Sequence, residues 1–322
     1  MKRIAAAVIV ALALAFVFAA HAQTYPVRPI RFVVPFAPGG SSEIVGRSVA
    51  AEMSKILGQQ VYVENKPGAA GNIAMAEVAK AEPDGYTLIL GHIGTLAVNP
   101  YMFEKLPYDP DRDFIAVSLL VIVPSLFVVN ASVPARDLKE FVKLAQASPG
   151  KLTYGSAGNG SAGHLAFEYL KLEAKIDVLH IPYRGTGPQL TDLLGGRLDA
   201  SAAGAPPLLP HIKTGKLRAI AVGTPQRIAA LPDVPTVAEQ GYPGFETSQW
   251  YGLMVPAKTP DAIVKRLAGA AAQAAKSPAV LELFAQDNAV AVGSTPAEFA
   301  AYIRKEQARW KEVVERARIR AE

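Results

Sequence analysis

The chain has 322 residues, 50% hydrophobic and 19% charged, which is enough apolar material for one large or two medium cores. Its formal charge of +5 falls to +3 without Lys2 and Arg3, and no Lys/Arg cluster appears, so nucleic acid is not indicated as a partner. The absence of cysteine excludes disulfides, thiol catalysis, thiolate metal sites and a lipid-modified N-terminal cysteine.

Residues 1–22 read as a secretory signal peptide. Lys2 and Arg3 form a basic start, Ile4 to Ala19 is apolar, and Ala20-His21-Ala22 is a small-x-small cleavage site. The run is too short for a comfortable membrane span, and no second run is long enough. The mature chain is therefore expected to start at Gln23 and to be free in the periplasm.

Phe32, Val33 and Val34 form a short buried strand within Arg31 to Ser42. Pro38-Gly39-Gly40 then bends the chain into a helix from about Glu43 to Leu57, with Ser41 or Ser42 as its cap. A strand that turns through glycines into a helix leaves free N–H groups at the positive end of the helix dipole. Such a turn is either a carboxylate or phosphate site or an ordinary tight connection. Gln60 to Glu64 is a second strand, Ala69 to Ala81 is helical, and Tyr86 to Leu90 is a third strand. Gly91 to Thr95 follows it, then a short helix ending near Asn99-Pro100. Alternating strands and helices with glycine loops indicate an α/β fold with a parallel sheet, whose ligands sit beyond the carboxyl ends of the strands.

Phe114 to Asn130 reads as two consecutive strands interrupted at Pro124, as where a chain leaves one sheet for another. A helix follows over Asp137 to Ala147, then a strand at Lys151 to Tyr154. The second glycine loop, Gly155 to His164, leads into a helix to Leu172. Asp177 to Tyr183, Leu198 to Ala203 and Leu217 to Val222 are strands, separated by helices at Gln189 to Leu194 and Leu208 to Lys213. Residues 223–247 form an extended connection to a returning strand at Trp250 to Val255. Pro260 to Lys276 and Pro296 to Arg318 are long amphipathic helices.

Gly158-x-Gly160-x-x-Gly163 matches a dinucleotide fingerprint, but the strand that should close on an acidic residue ends Pro182-Tyr183-Arg184. A generic anion loop fits these residues better, and no cofactor is expected. His92, His164, His180 and His211 have no metal-binding spacing. Ser161 and His164 are spaced as a nucleophile and base, yet no orienting acid or oxyanion hole can be assigned; capping by Ser161, with His164 packing or lining a pocket, explains the pair better.

Several stretches are similar to the substrate-binding proteins of tripartite tricarboxylate transporters, the Bug-type receptors. They are Val34-Pro35-Phe36-Ala37-Pro38-Gly39-Gly40, Glu64 to Gly71, Pro83 to Leu88, Tyr154 to Ser161 with His164, Tyr183-Arg184-Gly185, Asp192 to Gly196, and Leu231 to Thr236. They run in order through the whole mature chain. The resemblance implies a two-lobed, type II-like periplasmic binding protein: an α/β fold with two parallel-rich sheets, flanking helices and two crossing strands. Lobe I would hold 23–123 and 250–322, and lobe II 124–249. It also implies a receptor, not an enzyme, that delivers a small organic carboxylate to transporter membrane subunits, acting as a monomer. Ligand contacts are expected from Phe36, Ala37, Pro38, Gly39, Ser41 and Ser42 in the first loop, and from Gly94 and Thr95. The second loop would add Ser156, Ala157, Gly158, Asn159, Ser161 and His164, with Thr186 from the loop after. The chain departs from the family pattern in reading Gly39-Gly40-Ser41-Ser42-Glu43 where members often have Gly-Gly-x-Thr-Asp. It also has Ala203 near a position where many carry Asp, which suits an all-anionic or apolar-bodied acid. The alternatives are an exported hydrolase using Ser161 and His164, or a ligand sensor docking on a membrane kinase.

Overall fold

The computed structural model describes residues 25–286, 288–317 and 319–320. The expected signal peptide over 1–22 lies outside them. Strands β1 (Ile30–Val34), β2 (Val61–Asn65) and β3 (Thr87–His92) open the first lobe, with β1 central and parallel to both. Parallel neighbours require crossovers. Helix α1 (Ser41–Leu57) supplies one, and a 3-10 turn at Ala69–Gly71 with α2 (Asn72–Val78) supplies the other. The period of two along β1 sends Phe32 and Val34 into the core under α1, and Val33 into the core under α2. After β3 the chain makes a π-helical turn, Gly94–Val98, and then α3 (Asn99–Met102). A helix was expected to end near Asn99-Pro100, whereas one starts there. Pro100 sits in its first turn, where no N–H donor is required.

Phe114–Asn130 is one 17-residue strand, β4, not two. Its first part pairs with β9 (Ser248–Pro256), from Phe114 opposite Pro256 to Pro124 opposite Ser248, and with the short β10 (Val290–Ala291). From Ser125 onward it pairs instead with β7 (Ala200–Gly204) and β8 (Leu217–Val222). Pro124 thus falls where the strand changes partners, so its missing donor leaves no gap within either ladder. The second lobe continues with α4 (Leu138–Ala147), β5 (Thr153–Ser156), α5 (Ala162–Ala174), β6 (Leu179–Pro182), α6 (Thr186–Leu194), β7, α7 (Ala205–Lys213) and β8. The chain returns on β9 and finishes with α8 (Asp261–Ala275), α9 (Pro278–Gln286), β10 and α10 (Pro296–Ala317). Sequence patterning did not anticipate α9 or β10.

The sheets are mixed. β1 and β5 pair parallel with their neighbours, but every pairing made by β4 and β9 is antiparallel. The crossing strands run against the α/β units they join, which makes the architecture less parallel than expected. Alternate residues of β4 split the second lobe as β1 splits the first. Phe127 and Val129 face α4 and α5, while Leu126 and Val128 face α6 and α7. Helix α10 buries Phe299, Ile303 and Trp310 against the first lobe, so the C-terminal segment completes the N-terminal core. No helix among the described residues is long and apolar enough to cross a membrane.

Candidate functional site

The first glycine loop leaves β1 at Val34 and enters α1 through Gly39, whose φ of +92° favours a residue without Cβ. The cap of α1 is Gly40, in extended conformation and with no side-chain bond, so neither Ser41 nor Ser42 caps the helix as expected. Glu43 instead reaches back to the loop: its carboxylate accepts the Gly39 N–H at 2.7 Å and pairs with Arg47. Ser41 and Ser42 become the first two helical residues, whose N–H groups have no intrahelical acceptor, and both are buried.

The second loop follows β5. Ser156 does not present its hydroxyl outward. Its Oγ lies 2.7 Å from His180 Nε2 and accepts the Gly158 N–H at 3.1 Å, which braces the loop from within. Ser161 caps α5 by accepting the His164 N–H, while His164 Nδ1 accepts the Gly160 N–H. With both groups engaged to backbone, no Ser161–His164 side-chain bond forms, and the nucleophile–base reading lacks its first requirement. Gly163, third glycine of the fingerprint, lies against the Ala202 carbonyl with no room for a Cβ, so it serves helix–sheet packing. Beneath the loop, Phe167, Tyr154, His180 and His164 stack in a column with centroid spacings of 4.1, 4.7 and 4.3 Å. Burial lowers the His164 pKa to about 4 and that of His180 to about 3, so both rings are neutral.

Both loops reach one cavity between the lobes. The first lobe contributes Phe36, Ser42, His92 and Ile93, and the second Ala157, Ser161 and Thr186 together with the start of α5. Gln249, Trp250 and Tyr251 on β9, and Ala202 and Ala203 on β7, complete the wall. Measured by the centre of a water-sized sphere its volume is about 30 Å³, room for a short polar head rather than a bulky body in this closed geometry. No Asp, Glu, Lys or Arg lines it among the described residues. Burial lowers His92 to about 3 and raises the phenol of Tyr251, which donates to Gln249 Oε1 at 2.6 Å. The cavity is thus polar but uncharged, with the positive ends of α1 and α5 both opening into it.

Of the residues expected to contact a ligand, Phe36, Ser42, Ala157, Ser161 and Thr186 lie on this wall. Ala37, Pro38 and Gly39 lie instead at the cleft mouth, where they meet the second lobe main chain to main chain. The Ala37 N–H donates to the Arg184 carbonyl at 3.1 Å, and a Cβ on Gly39 would come within 3.0 Å of Gly187 Cα. Ser41 is buried behind the wall near Gly204 and Gln249. Gly94 presses on the Gly160 carbonyl, and Thr95 Oγ1 accepts the His92 N–H. Gly158 backs onto the Tyr183 carbonyl. Asn159 and His164 face a separate hollow, lined also by Glu168 and His180. The wall residues not anticipated are chiefly His92, Gln249, Trp250 and Tyr251. Trp250 and Tyr251, on β9, read as part of an apolar core strand, and His92 ends β3; only the topology brings them to the cleft.

The model of the tripartite tricarboxylate transporter family receptor matches residues 45–319. Among solved structures, the periplasmic binding protein BugD is 34% identical, with a TM-score of 0.89 over 92% of this chain and 100% of its own. MatC from Rhodopseudomonas palustris with bound malate is 37% identical, with a TM-score of 0.87 over 90% of this chain and 100% of its own. R. palustris Rpa4515 with adipate is 34% identical, with a TM-score of 0.88 over 91% and 98%.

Proposed function

Because the chain belongs to the tripartite tricarboxylate transporter receptor family, we propose that it captures a small organic carboxylate between its lobes and delivers it to the membrane subunits of a tripartite-type transporter. The observation that carries this reading is the convergence of two helix N-termini on an uncharged cavity. A carboxylate there exchanges its water for fixed N–H and hydroxyl donors from both lobes, and needs no arginine or lysine. Ala202 and Ala203 bring no acid to the wall, which suits an all-anionic or apolar-bodied ligand. The lobes divide at the crossing strands, into 23–123 with 250–322 and 124–249, and hinge there to admit the acid. The protein is exported by cleavage after Ala22 and works as a monomer in the periplasm.

Calorimetry against malate, succinate, adipate, citrate, benzoate and nicotinate tests the reading. At least one should bind at micromolar affinity or tighter, about −8 kcal/mol. Failure of all six to bind, or product accumulating with the acid that does, would overturn it. Co-purification from solubilised membranes should recover transporter subunits; recovery of a kinase alone would assign the protein to sensing.

A further inference from the structure

His92 ends β3, and its ring forms part of the cavity wall. Nδ1 accepts the N–H of Gly94 at 2.6 Å and of Thr95 at 3.3 Å. A ring nitrogen that accepts N–H donors carries no proton, so a neutral ring holds its proton on Nε2. Nε2 is buried and has no hydrogen-bond partner among the described residues. The ring cannot swing to find one. Phe36 stacks on its face at 4.6 Å, Tyr251 meets it edge-on at 6.5 Å, and the Gly94 main chain closes on its Nδ1 side. A buried donor left unpaired is expensive, and here it sits on a wall whose other donors come from helix starts and hydroxyls.

Building on the carboxylate reading, we propose that the Nε2–H of His92 is a specificity contact, donating to a second oxygen acceptor on the ligand. The helix N-termini hold the first carboxylate. His92 then selects acids that carry a further carboxylate, keto or hydroxyl oxygen over matched acids that end in a hydrocarbon. The Gly94 and Thr95 N–H groups fix the Nε2–H tautomer, and Phe36 and Tyr251 hold the ring in place.

Succinate and butyrate are the matched probes, since they share chain length and differ in the second carboxylate. The parent protein should prefer succinate by about 10- to 150-fold, the worth of one hydrogen bond to a charged group. His92→Phe keeps an aromatic ring on the wall but removes the donor, and should reduce that preference to less than about threefold. His92→Gln, which restores an N–H, should recover part of it. Independently, the nitrogen-15 spectrum of the parent should show His92 as the Nε2–H tautomer, with its proton resonance moving on addition of succinate and not of butyrate. This second measurement decides the matter if His92→Phe fails to fold. An unchanged preference in folded His92→Phe, or a His92 resonance indifferent to succinate, would overturn the assignment and leave the carboxylate reading standing. A parent protein that binds none of the six acids named above would overturn both, and one that binds benzoate or nicotinate but not succinate would overturn the His92 assignment alone.

Discussion

Replacing Gly187 with alanine should separate closing from folding. Gly187 is the second residue of α6 and faces the first lobe across the cleft mouth. A Cβ there would overlap the Pro38 carbonyl oxygen and stand 3.2 Å from its carbon and 3.4 Å from Gly39 Cα. These neighbours are main chain, so they cannot rotate aside. The lobes must part, which also breaks the Ala37 to Arg184 hydrogen bond. Within α6 itself alanine is favoured over glycine by up to about 1 kcal/mol, so the unliganded chain should melt no lower than its parent. A ligand denied the donors of one lobe loses one or two hydrogen bonds to charge. At about 1.5–3 kcal/mol each, affinity should fall between roughly tenfold and about twenty-thousandfold. The assay is calorimetry with whichever of malate, succinate or adipate binds the parent. It is run beside thermal melting and small-angle scattering with and without that acid. Gly187→Ala should lose both the ligand-induced rise in Tm and the ligand-induced compaction. A variant that bound and compacted like the parent would refute the role given to the cleft mouth.

Acid should destabilise the fold before its carboxylates titrate. His92, His164 and His180 titrate at about 3, 4 and 3 when folded and near 6.5 when unfolded, so the unfolded chain binds more protons in between. Their contribution is complete above about pH 6.5. It falls on acidification by up to about 1.4 kcal/mol per pH unit for each ring; urea titrations at pH 7, 5.5 and 4.5 that gave equal stabilities would refute this. Glu306 is buried and accepts both the Trp250 indole N–H at 2.9 Å and that of Trp310 at 3.3 Å. Glu306→Leu should therefore cost about 1–3 kcal/mol for each orphaned indole, and Glu306→Gln distinctly less, by the same titration. Protein recovered from the periplasm should begin at Gln23, and N-terminal sequencing that returned Met1 would sink the export reading.

Much of the fold is legible in the sequence because its signals are local. Phe32-Val33-Val34 followed by Pro38-Gly39-Gly40 needs no tertiary context to read as a strand, a turn and a helix. The second lobe repeats that logic at Tyr154 to Ser161. Most of what escaped depends on distance along the chain. Ser41 and Ser42 looked like caps by composition, but Glu43 reaches back to the Gly39 N–H and leaves the serines to face inward. Pro124 looked like a strand break, and only the change of partners from β9 to β7 and β8 explains why one strand passes through it. Trp250 and Tyr251 sit in a run indistinguishable from core, and a lone His92 after a strand matches no motif. Its meaning lies in two N–H donors that take up Nδ1 and leave Nε2 alone.

The contacts at the cleft mouth are made by main-chain atoms of Ala37, Pro38, Gly39, Arg184 and Gly187, whereas the cavity wall is lined by other residues, among them His92, Ala203 and Trp250. Drift at His92, Ala203 or Trp250 can therefore change which molecule is held without rewriting how the two halves meet. One backbone catch can serve a whole series of cargoes. For the same reason, a pair of fluorophores placed once, on either side of the mouth, should give an optical signal that carries over unchanged to redesigned pockets.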